Sequence, residues 1–67
     1  MTSLAEALPQ EQARVRKVLG YYKEIGPAGA IGAMLIEQSL QAADQAIMSG
    51  DVVQMIAAYE DLKEIKE

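Results

Sequence analysis

A chain of 67 residues without cysteine or histidine has no disulfide and no thiolate metal site, and it lacks the commonest general base. Its net charge of −4 divides into +1 over residues 1–25 and −5 over residues 26–67, which leaves no basic stripe for direct nucleic-acid binding. Hydrophobic residues make up 51% of the chain, a high share for a domain near the lower size limit of folding, so with other staples excluded a homodimer is expected.

No apolar run approaches the roughly 20 residues of a membrane span. The opening MTSLAEAL has neither a basic start nor a sustained apolar stretch, so a signal peptide is not expected. A cytoplasmic protein without membrane contact is the corresponding expectation.

In chain order, Ser3 and Glu6 have capping-box spacing and open a short turn over Leu4 to Leu8. Pro9 is suited to the first position of a helix, and its place predicts helix one over Pro9 to Ile25. Val15, Val18, Leu19 and Tyr22 form the inner stripe of that helix, with Ile25 at its edge. Gly20 interrupts it at a cost of roughly 1 kcal/mol relative to alanine. Gly26-Pro27 is a helix stop.

Helix two then begins between Ala28 and Gly32 and ends at Ser49-Gly50. Gly29, Gly32, Ala33, Ile36, Leu40, Ala43 and Ile47 fall on one of its faces. Ile31, Leu35, Ala42 and Ala46 widen that face sideways, which predicts burial on two sides and places these four at the dimer interface. Asp51 with Gln54 gives a second capping box for helix three. Its inner face is Val52, Met55, Ala58, Tyr59, Leu62 and Ile65. The short turn at Ser49-Gly50-Asp51 makes helices two and three antiparallel. One all-α domain over residues 1–67 is expected: three helices, the last two an αα-hairpin, paired as a dimer.

The stretch GPAGAIGAM, residues 26–34, raises the question of a phosphate loop. It follows no strand, carries no Lys-Ser/Thr pair, and spends one position on a proline that has no N–H. The other reading is a packing hinge, with Gly29 and Gly32 one turn apart to admit a neighbouring helix. The carboxylates Glu60, Asp61 and Glu64 lie outward beside Lys63, and Ser3, Ser39 and Ser49 have no histidine to activate them. Asp44 and Asp51 lack calcium-loop spacing. No enzyme, metal or cofactor is expected.

Two surfaces are left for partner binding. One is Tyr21 with Arg14 and Lys17 on helix one, since Tyr and Arg are common interface anchors. The other is the acidic set Glu60, Asp61 and Glu64, which suits a basic protein surface. Met34, Met48 and Val53 lie outside the expected core and add adaptable contact area.

The segment SGDVVQMIAAYEDLKEI, preceded by LQAADQAI, resembles part of a tetratricopeptide repeat: the Gly50-Asp51 turn, Tyr59 and Leu62 match, and Met55 stands where the repeat prefers alanine. It spans one repeat at most and lacks the Trp-Leu-Gly start, whereas arrays need at least about three repeats. The resemblance implies a helical hairpin, and as a function a structural or adaptor protein. The short, acidic, helical chain without catalytic residues also resembles the small inhibitors that phages direct at host proteins, such as anti-activators and anti-CRISPR proteins. That resemblance implies stoichiometric binding to a larger host protein, for example over the basic DNA-binding surface of a transcription regulator.

Overall fold

The structure is a computed structural model and describes residues 3–66. Among these residues it contains three α-helices, α1 (Leu4–Ile25), α2 (Ala30–Ser49) and α3 (Val52–Lys63), with a 3-10 turn over Gly26–Gly29 and no strand. All three helices pack on one another, α1 antiparallel to α2 and α2 antiparallel to α3. The all-α reading with a C-terminal αα-hairpin is what the structure shows.

Helix α1 starts earlier than Pro9 suggests. Pro9 is inside the helix, and the expected separate turn over Leu4 to Leu8 is its first turn. Leu8 is completely buried in the core, and its burial favours the helix by about 1.5–3 kcal/mol, comparable to the cost of an internal proline. The carbonyl that Pro9 leaves unbonded is that of Ala5, and both residues are exposed, where water can serve it. Ser3 is the N-cap residue, but its side chain makes no capping bond, so the Ser3–Glu6 box does not form. The backbone carbonyl of Ser3 instead accepts from the amides of Glu6 and Ala7.

Between α1 and α2 the chain reverses over four residues. Gly26 has φ +83° and ψ −143°, a conformation reserved for glycine. Gly29 has ordinary dihedrals and is needed for space. A Cβ built on it would collide with the backbone carbonyl of Tyr22, and one built on Gly32 would lie 2.5 Å from the Tyr22 ring. The hinge reading of GPAGAIGAM therefore holds for Gly29 and Gly32. Gly20 is different: a Cβ there would meet nothing within 4 Å.

The core is built from Leu8, Val15 and Val18 of α1, Ile36, Leu40, Ala43 and Ala46 of α2, and Ala58 and Leu62 of α3. Leu19, Tyr22, Met55, Tyr59 and Ile65 pack against it, partly buried. Two residues expected inside are outside: Ile47 is 38% and Val52 59% exposed. Ala46 takes the place of Ile47 because α3 covers α2 on the Ala46 side. Val52 is in the first turn of α3, ahead of the packed stretch.

Gln12 is the one buried polar side chain among the described residues. Its amide donates to Asp44 Oδ1 at 2.8 Å, linking α1 to α2. Gly50, at φ +71°, closes α2 by donating its N–H to the carbonyls of Ala46 and Ile47. Asp51 caps α3 by accepting from the amides of Val53 and Gln54. The reciprocal half of that box is rerouted: the amide of Asp51 donates to Ser49 Oγ, and Gln54 Oε1 is 3.2 Å from the same hydroxyl.

Substituting Gly29→Ala tests the close approach. We expect a loss of about 2–3 kcal/mol in chemical denaturation, the upper end of what overpacking costs. Gly20→Ala, open on every side, should raise stability by up to about 1 kcal/mol in the same assay.

Candidate protein-binding surfaces

The structure separates the residues that the sequence grouped. On α1, Tyr21 is 53% exposed and Lys17 is exposed, but Arg14 is committed within the chain. Its Nε and Nη2 donate to Glu11 Oε2 at 3.1 and 2.9 Å, and Nη2 also donates to the carbonyl of Leu62 at 2.9 Å. Leu62 is in the last turn of α3, where its carbonyl also accepts from the amide of Ile65 and the negative end of the helix dipole favours a cation. Arg14 is thus a tie between α1 and the end of α3, and the expected partner surface on α1 reduces to Tyr21 and Lys17.

On α3 the carboxylates point two ways. Glu60 and Glu64 share the outward stripe with Val53 and Ile56, at helical spacing. Asp61 lies toward α2 and forms part of a groove with Ala42, Gln45, Ala46, Gln54, Ala57 and Ala58. Lys63 lies over Tyr59, its Nζ 5.3 Å from the centre of the ring. Val53 is 75% and Ile56 49% exposed, so the stripe grades from apolar at the start of α3 to acidic at its end.

Of the four residues expected at a dimer interface, Ile31 and Leu35 are 73% and 56% exposed, and Ala42 is also exposed. Ala46 differs from the other three. At 2% exposure it belongs to the core of its own chain and shows only at the floor of the α2–α3 groove. Helix α3 has 12 residues against 20 in α2. It covers the C-terminal half of α2 and stops short of Ile31 and Leu35.

The carboxylates of α2 have partners on α1. Glu37 lies 3.2 Å from Lys23, and Asp44 accepts from Gln12 with Arg16 at 3.9 Å. Both ion pairs have exposed side chains and stabilise by a few tenths of a kcal/mol. Their larger consequence is directional, because they put the charges of α2 on its α1 side. Asp51 is likewise used as a helix cap.

A second cleft lies at the α1–α2 bend, lined by Tyr22, Lys23, Gly26, Pro27, Ala30, Ala33, Met34 and Glu37. The Lys23–Glu37 pair spans part of it, and the amide of Ala30 is bonded to the carbonyl of Pro27. No helix is long and apolar enough to cross a membrane among the described residues. Comparison with known proteins finds no family model, no curated protein and no solved structure that matches this chain.

Arg14→Met keeps an aliphatic stem and removes the donors to Glu11 and Leu62. We expect a loss of about 1 kcal/mol, with faster amide exchange in the last turn of α3 than in the centre of α1. Equal acceleration in both helices would show that Arg14 is not a specific tie.

Proposed function

We propose that this chain is a small non-enzymatic binding module that inhibits or modulates a larger protein by occupying its surface, with the outward stripe of α3 as the contact. The observation that carries this reading is the exposure of Val53 and Ile56 in line with Glu60 and Glu64. Apolar side chains open to water on a folded helix favour a partner's apolar surface, and the neighbouring carboxylates select a basic one. The DNA-binding domain of a transcription regulator has that chemistry, which agrees with the compositional likeness to phage-made inhibitors. Tyr21 and Lys17 would form a second, smaller contact.

Such a contact associates at a rate that falls with salt, because exposed charges are screened within about 8–10 Å at physiological ionic strength. The test is affinity capture from a host extract with the unchanged chain and with the double variant Val53→Ser, Glu60→Lys. Both substitutions are at exposed positions, so the circular dichroism spectrum and melting temperature should be unchanged. We expect one basic protein captured stoichiometrically by the unchanged chain and at least about tenfold less by the variant, a difference of 1.4 kcal/mol. Equal capture by both would remove the α3 stripe as the contact. Recovery of several unrelated proteins would instead support the adaptor reading of the α2–α3 hairpin.

A further inference from the structure

Helix α2 has an exposed face with no charge on it. Ile31, Leu35, Gln38, Ala42 and Gln45 are exposed and neutral, while Glu37 and Asp44 are turned toward Lys23, Gln12 and Arg16 of α1. The face has two unlike halves. The first presents Ile31 and Leu35, large side chains beyond the end of α3. The second is the floor and wall of the α2–α3 groove, where Ala42, Ala46, Ala57 and Ala58 supply small ones.

We propose that this face is occupied by a second copy of the chain, with Ile31 and Leu35 of each copy seated in the alanine groove of the other. In an antiparallel pairing of α2 with α2 about a two-fold axis between Gln38 and Ser39, Ile31 meets Ala46 and Leu35 meets Ala42. Large meets small at both positions, and the symmetry repeats the match. A register shifted by seven residues, about two helical turns, would set Leu35 against its own copy, large against large.

Charge puts a self-contact on this face and not on the α3 stripe. The chain carries a net −4, and pairing through the outward stripe of α3 would set Glu60 and Glu64 against their own copies. The α2 face brings no such stripe together. Asp61, the one carboxylate lining the groove, would face the second copy's α2, whose exposed face carries no charge. Stable pairs bury about 600–1,000 Å² per partner. The lower figure is about one eighth of the chain's 4620 Å². The pairing does not depend on the α3 stripe or on its partner.

The test is sedimentation equilibrium of the full chain at roughly 1–100 µM, the range in which an interface of this size is populated. The expected mass is twice 7.3 kDa. Leu35→Ala should raise the dimer dissociation constant at least about tenfold, and Ala42→Leu should do the same by filling the groove. The double variant Leu35→Ala, Ala42→Leu exchanges large and small on both copies and should restore pairing. Circular dichroism reports in each case that the helices are intact. A folded monomer of the unchanged chain at the highest concentration would overturn the proposal. So would a dimer that tolerates both single substitutions. If the chain is monomeric and Leu35→Ala instead abolishes capture of another protein, the occupant is that protein and the second copy is ruled out.

Discussion

The fold depends on the absence of two side chains. Tyr22 occupies the space that a Cβ on Gly29 or Gly32 would fill, so α1 and α2 meet closely just beyond their connecting turn. That contact sets the register of everything further along the pair. With Tyr22 against Gly32, Lys23 comes level with Glu37, and Gln12 and Arg16 come level with Asp44. Individually these polar links are small. Together they turn every charge of α2 toward α1, and the opposite side of α2 is neutral as a result.

Helix α3 completes the core over only part of this pair. Leu62 is fully buried and Ala58 nearly so, and Arg14 holds the end of the helix through the carbonyl of Leu62. Beyond that point Tyr21, Ile25, Ile31 and Leu35 are left more than half exposed. The principal extents of 36 × 22 × 16 Å show why this is unavoidable. The shortest leaves no room for a further layer over the three helices, so each helix keeps a side open to solvent. The apolar content that suggested a partner is on those sides and not in a larger core.

Much of this was legible from residue spacing. Val15, Val18, Ile36, Leu40, Ala43 and Leu62 follow helical periods, and Gly26 and Gly50 end helices where only glycine has the required φ. Pro9 misled because a local signal was outweighed by Leu8, whose burial is a tertiary effect. Gln12 was invisible to a search for apolar periods, although it sits at i+4 from Leu8 and i−3 from Val15, where a side chain must face inward. The exchange of Ile47 for Ala46 arose because the apolar arc of α2 is wide enough to fit two neighbours. The role of Arg14 depends on a carbonyl 48 positions away, which no local pattern reveals. Nothing in the spacing separated Asp61 from Glu60 and Glu64 until α2 was seen beside it.

The dependence on the Tyr22 contact is most directly measured by a double-mutant cycle in chemical denaturation. Gly32→Ala is made in the unchanged chain and again in a chain carrying Tyr22→Ala, which removes the ring that the new methyl would strike. The account predicts a loss of roughly 1–3 kcal/mol in the first background, as overpacking costs, and a neutral or favourable change in the second, where alanine is the better helix former. A loss of equal size in both backgrounds would contradict it, because the strain at Gly32 would then have a source other than Tyr22.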